Sequence, residues 1–272
     1  MLRLESEKGW WLVTHPDHAR LAGAFAEAWG NERFLPPEPR ANVLLGIRCH
    51  DDGWAARDAA PQITKQGKPS AFSTELVGKY SAFEEIDLQD YLAVRDRAVH
   101  QMAEQDALAA LLISMHTYNL LTEHADRSTI RPDGLTLLDS FLIAQTKFQT
   151  ELLRRVRSGG FHDDETSDSR IRDHFCLLQA TDNLSLLSCV GYLKPATLLH
   201  PLPLRDGNYS EVRVTPLGER HFRLEPYPFN SPALEFSLPA RHVEGKTFAS
   251  APHLQEEFSR ATVIQLRVTV TA

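Results

Sequence analysis

Arg48-Cys49-His50-Asp51-Asp52-Gly53-Trp54 lies near the end of residues 41–57, a segment whose apolar spacing reads as a buried helix. The stretch puts an imidazole and two carboxylates at one point on a rigid apolar element. Burying such groups costs roughly several kcal/mol unless they are paired or bound to a cation. The fold therefore turns on whether other helices bring partners to the same point.

Working outward, three more segments carry an ionisable group on an apolar stripe. His18, Leu21, Ala22, Phe25 and Trp29 follow helical spacing on one face, and His15 precedes them. Val43, Ile47, His50 and Trp54 share a face of the quoted helix, with Asp51 beside it. In 106–124, Leu108, Leu112 and His116 stand four apart, flanked by Met115 and Asn119. In 168–191, Asp182 is the one ionised member of the stripe Ile171, Phe175, Leu178, Asp182 and Leu186. Taken singly, each reads as a hydrogen-bonded core residue, and 12 histidines will produce coincidences. Taken together, convergent helices would assemble three imidazoles and two carboxylates. That nitrogen and oxygen shell suits a divalent ion such as iron, manganese, zinc, nickel or magnesium, one or two in number.

The rest of the chain frames this centre. Residues 2–14 read as a β-hairpin turning at Lys8-Gly9. A helix over 16–30 starts behind Thr14 as N-cap, with Pro16 in its first turn and Gly30 at its end. A Pro-rich loop spans 31–40, and an irregular excursion with Pro61, Gly67 and Pro69 spans 58–72. Helices are expected near 73–80, 87–104, 106–124, 133–157 and 168–191. Beyond Lys194-Pro195, proline and β-branched residues become frequent. Strands are expected at 211–215, 220–225, 234–238 and 263–270, with one short helix near 252–260. The fold class is α+β: a mainly helical metal-binding domain over 1–193 and a β-rich part over 194–272, whose strands could also extend the N-terminal hairpin into one sheet.

Charge and motifs exclude several classes. The formal net charge is −7 and no basic stripe is present, so a nucleic-acid polymer is not an expected partner. The three cysteines, Cys49, Cys176 and Cys189, are scattered in apolar helical stretches and form no CxxC, as expected of free thiols in a reducing compartment. No signal-peptide core and no apolar run of membrane-spanning length occurs, which points to a cytoplasmic protein with no membrane partner. GxGxxG, GxxxxGK[ST] and GxSxG are all missing.

The pattern His18 … His50-Asp51 … Asp182, with His116 between, resembles the HD-domain superfamily of metal-dependent phosphohydrolases over residues 14–190. A resemblance covering nearly the whole chain is to an uncharacterised bacterial family, domain-of-unknown-function family 3891. It is carried by Asp17-His18-Ala19-Arg20-Leu21-Ala22-Gly23, His50-Asp51-Asp52-Gly53-Trp54 with Asp58, Ser114-Met115-His116 and Tyr227-Pro228-Phe229. The HD resemblance implies a helical HD-like core that hydrolyses a phosphate ester of a small metabolite or nucleotide. His18, His50, Asp51 and Asp182 would hold the ion, with His116 a fifth ligand or a substrate contact. A second intermediate histidine at a convincing spacing is missing; His100 and His124 are the substitutes. Asp52 is the candidate general base or orienting partner. Arg20, Lys65, Lys68 and Lys147 are candidate phosphate contacts, with Lys65 and Lys68 on an excursion that could act as a lid. Two rival readings use the same residues: an HD-like di-iron oxygenase, and a non-enzymatic binding or scaffold protein. A homo-oligomer is compatible with the sequence.

Overall fold

The computed structural model describes residues 1–79 and 87–272. The chain opens with the expected hairpin: β1 (Leu2–Glu5) and β2 (Gly9–Val13) run antiparallel with Leu2 opposite Val13. Thr14 then caps α1 (His15–Ala28), its hydroxyl oxygen accepting from the Asp17 amide, and Pro16 sits where no amide partner is needed. The helices α2 (Arg40–Cys49), α3 (Ala55–Asp58), α4 (Leu88–Gln105), α5 (Ala107–Glu123), α6 (Pro132–Ser158) and α7 (Asp168–Cys189) follow. Asp87, Asp106 and Ser167 cap α4, α5 and α7 through their side chains. The C-terminal part holds β3 (Ala196–Thr197), β4 (Leu202–Pro203), β5 (Tyr209–Ser210), β6 (Arg213–Gly218), β7 (His221–Glu225), β8 (Ala233–Glu244), α8 (Ala251–Arg260) and β9 (Val263–Thr271).

Seven strands form one sheet in the order β1-β2-β8-β9-β7-β6-β3, with β7 and β9 parallel and the other pairs antiparallel. The N-terminal hairpin and the C-terminal strands thus belong to the same sheet. β8 joins them: Ala233 to Arg241 pairs with β9, and Arg241 to Glu244 pairs with β2. Expected only over 234–238, this strand runs on through Pro239. β2 joins it only from Arg241, so at Pro239 the ladder has one free edge, where a missing amide is tolerated.

Period-two alternation gives the sheet two apolar faces. Val13, Phe222, Leu224, Leu238, Ala240, Val268 and Val270 enter the main core with Leu21 and Phe25 of α1 and Leu177 and Leu184 of α7. On the other face Trp10, Leu12 and Val243 meet Phe248 and the α8 residues Leu254 and Phe258. Within the helical layer α1, α2, α5 and α7 pack on one another. Gly46 lets α2 close on α5, since a Cβ there would stand 3.1 Å from Ala109 Cα. The Tyr227-Pro228-Phe229 turn anchors the chain leaving α1. The Gly30 amide donates to Pro228 O, the Asn31 side chain donates to Tyr227 O and Phe229 O, and the Trp29 and Phe229 rings meet edge to face.

Several expectations are corrected. The helix over 41–57 is broken: α2 ends at Cys49, Asp51 takes φ −121° and ψ 14°, Asp52–Trp54 makes one 3-10 turn, and α3 resumes. A continuous helix would set His50 and Asp51 about 100° apart; the break aims both inward. Of the helix expected over 73–80, the described part is a 3-10 turn, Thr74–Leu76, and residue 80 lies outside the described residues. The excursion 58–72 is pinned to the α8 side of the sheet. The Phe248 amide donates to Gly67 O, and Gln255 donates to Pro61 O. Three short strands between 196 and 210 were not expected.

Candidate metal centre

Four helices deliver five side chains to two overlapping groups that share His50: His18 from the first turn of α1, His50 and Asp51 from the break after α2, His116 from the middle of α5 and Asp182 from α7. None exposes more than 6% of its surface. His18 Nε2 lies 3.0 Å from Asp51 Oδ2, and His50 Nε2 lies 3.3 Å from Asp182 Oδ1 and 3.9 Å from Asp51 Oδ2. The His18 and His50 rings are 5.1 Å apart at their centroids, and the His50 and His116 rings 4.9 Å. Two groups, His18-His50-Asp51 and His50-His116-Asp182, each have their ligating atoms within 4.8 Å of one another.

Contacts behind the cluster fix each imidazole through Nδ1. The Ser185 hydroxyl donates to the Asp182 carbonyl (3.0 Å), so its oxygen is left to accept from His18 Nδ1 (2.9 Å). His50 Nδ1 donates to the Ile47 carbonyl (2.7 Å). The Gln179 side-chain amide meets His116 Nδ1 at 2.6 Å; a half-turn of that amide lets the ring donate and frees Nε2. The neutral rings of His18 and His50 therefore present a bare Nε2 to carboxylate oxygens. Two acceptors face to face repel unless a proton or a cation lies between them. His50 Nε2 is fully buried and makes no hydrogen bond.

The electrostatics follow from this arrangement. Burial works against a charged His50, but Asp51 and Asp182 outweigh it and push the imidazole up to about 9. Burial and the neighbouring His50 push His116 down to about 3. Burial would raise Asp51, yet Arg95 and His50 hold it well below the usual carboxylate range. Burial is likewise overcome at Asp182, chiefly by His50.

Arg95 was not anticipated. From α4 its Nη1 reaches Asp51 Oδ1 at 2.5 Å, and the guanidinium lies 5.2 Å from the Trp54 ring centroid and 5.4 Å from that of Tyr91. Its signal was in the sequence: Leu92, Arg95, Val99 and Met102 are spaced three, four and three apart, an inward stripe with one cation. Beside the cluster, His15 Nδ1 pairs with Asp58 Oδ2 (3.0 Å), and the Met1 amino group lies 2.8 Å from Asp58 Oδ1. Burial would raise Asp58, but His15 and that amino group hold it below the carboxylate range.

The remaining candidates stand elsewhere. Asp52 is half-exposed with its carboxylate 3.5 Å from Arg20 Nη1, outside both ligand groups. Arg20 is exposed. Lys65 is exposed, and Lys68 Nζ lies 5.9 Å from the Trp10 ring centroid, in the segment pinned to Phe248. That placement gives no support to a lid or to phosphate contacts from these two lysines. Lys147 is exposed on α6. His100 is half-exposed beside Asp96 (3.6 Å) and Phe148, and His124 sits at the C-terminal end of α5. Neither supplies a second intermediate ligand in the two groups.

Each group of three offers ligand atoms that could hold a divalent cation. Bonds of about 2.1 Å put neighbouring ligand atoms about 3.0 Å apart in an octahedron and about 3.4 Å in a tetrahedron; the inward pairs measured here span 3.0 to 3.9 Å. Neutral imidazoles fixed through their outer nitrogen are the usual form of this ligand. Cys49, Cys176 and Cys189 are free, and no helix among the described residues is long and apolar enough to cross a membrane. Comparison with curated proteins and with solved structures gave no match. The sequence profile described as protein of unknown function (DUF3891) matches residues 1–245, and the chain belongs to that family.

Proposed function

We propose that the centre holds one divalent metal ion and that the protein is an HD-like metal-dependent phosphohydrolase acting on a small phosphorylated metabolite or nucleotide. The observation that carries this reading is His50: Nδ1 is committed to a carbonyl, and the buried Nε2 faces the carboxylates of Asp182 at 3.3 Å and Asp51 at 3.9 Å. His18, His50, Asp51 and Asp182 would hold the ion, with His116 the fifth donor. A bound divalent ion polarises phosphoryl oxygens and lowers the pKa of water from about 15.7 towards 7.

The chain supplies the rest. Ser185 Oγ and Ile47 O hold the His18 and His50 rings in the orientation and tautomer that turn Nε2 inward, and the Gln179 amide, after a half-turn, would do the same for His116. Asp51 and Asp182 remain ionised at neutral pH. His116 stays uncharged there, as a ligand or a substrate contact requires. Asp52, paired with Arg20, gains no support as a general base. Both ligand groups share His50, which has one nitrogen to offer. His50 would therefore serve one ion at a time, which favours a mononuclear site and, with it, hydrolysis over di-iron oxygen chemistry.

The test is a screen of phosphate monoesters and diesters with protein loaded separately with manganese, zinc and iron. Phosphate release that disappears in Asp182→Asn supports the reading. Iron-dependent oxygen uptake with no phosphate release contradicts it.

A further inference from the structure

We infer that Arg95 makes this centre selective for an anion, its guanidinium holding one oxygen of a tetrahedral oxyanion such as phosphate beside the metal ion. The inference rests on the metal reading above and deepens it by naming the residue that selects the ligand.

Three observations carry it. Arg95 is buried, and one N–H of its fork is left over. Nη1 is spent on Asp51 Oδ1 and the side chain also hydrogen-bonds Tyr91, while Nε is buried without a hydrogen-bond partner. A guanidinium carries five N–H donors in a rigid plane, so a buried donor without an acceptor is a position where an incoming oxygen gains a charge-assisted bond. The plane is also preset, lying close to the Trp54 and Tyr91 rings. A lysine would offer a mobile point charge; the arginine offers a fixed, planar one.

The charge sum gives the third. Asp51 and Asp182 contribute two negative charges and Arg95 one positive, and ligating imidazoles are neutral. A divalent ion then leaves the centre at one net positive charge. The adjacent carboxylates do not cancel it: Asp58 is matched by the Met1 amino group and His15, and Asp52 is matched by Arg20. A buried excess charge is unfavourable until a counter-ion joins it. The filled centre should therefore take an anion in preference to a neutral molecule, with Arg95 deciding which oxygens it accepts.

The experiment is calorimetric titration of inorganic phosphate into manganese-loaded protein, with metal content measured on the same samples. Wild-type protein is expected to bind phosphate only when loaded. Arg95→Lys, which keeps the charge and a partner for Asp51, is expected to retain manganese and lose about tenfold in phosphate affinity. Arg95→Lys that retains manganese and binds phosphate within about twofold of wild type overturns the inference and leaves the metal reading standing. Wild-type protein that holds manganese and binds no phosphate at millimolar concentration overturns it too. Wild-type protein that holds no metal overturns the reading beneath it as well. A measurement that needs no variant is the melting temperature of loaded wild type: phosphate should raise it by several degrees over chloride at equal ionic strength, and an equal melting temperature in the two salts counts against Arg95.

Discussion

Replacing Arg95 by Met removes the only guanidinium found against Asp51 among the described residues, while keeping most of the volume packed beside Trp54 and Tyr91. The Asp51 carboxylate, 6% exposed, is then left buried with the His18 and His50 imidazoles as its remaining partners. Breaking a buried pair by deleting one member costs about 3–5 kcal/mol, and proton uptake by the stranded carboxyl limits the loss to the lower part of that range. Unfolding entropy of about 2.1 cal/mol/K per residue over 272 residues makes 1 kcal/mol worth about 1.8 °C, so a cost of about 3 kcal/mol lowers the melting temperature by about 5 °C. A metal ion changes that figure. With saturating manganese a second cation faces Asp51, and the loss should shrink to about half. The assay is thermal denaturation of wild type and Arg95→Met in chelator and in manganese. A loss equal in both conditions, or below about 1 kcal/mol in chelator, would refute the view that Arg95 and a metal ion neutralise the same carboxylate.

Two further outcomes follow from the same geometry. Ser185→Ala removes the acceptor that fixes His18 Nδ1, and metal affinity should fall about tenfold to a hundredfold with little change in fold, read by competition with a chelating dye; unchanged affinity would show that Ser185 does not orient the ring. His174 is buried with neither ring nitrogen hydrogen-bonded, and burial pushes it down to about 3. Its folded value lies below the unfolded value near 6.5, so the unfolded chain binds the extra proton. Stability should therefore decline as pH falls from about 6.5 towards about 3, by about 1.4 kcal/mol per unit at most. His174→Leu should flatten that part of the urea-unfolding profile, whereas an unaltered slope would place the titration elsewhere.

Much of the centre was legible because an α-helix marks its inward face every three or four residues. His18, His116 and Asp182 each interrupt such a stripe, and each arrives at the cluster. The same test applied to α4 finds Arg95, which went unread because a long cationic side chain on an apolar face usually carries its head to solvent. His50 and Asp51 reach the cluster by a local structure other than the one expected. A break, not a continuous helix, turns both inward, and neither Gly53 nor the composition announces it. The placement of Lys65 and Lys68 was not legible because their segment is held by Phe248 and Gln255, nearly 200 residues away, and loop placement leaves no local pattern. The sheet was half-visible for a similar reason. The strand texture of 263–270 is local, whereas the pairing of β2 with the end of β8 is a long-range contact across a strand that the proline rule cuts short at Pro239.

Elemental analysis of protein purified without chelators bears most directly on the central claim, that imidazoles and carboxylates distant in sequence share one cation. The expected result is about one divalent ion per chain in the wild type and none in His50→Ala or Asp182→Ala, with both variants still cooperatively folded. Wild-type protein that carries no ion, and whose melting temperature no divalent metal raises, would contradict the account and leave the cluster a network of buried ion pairs.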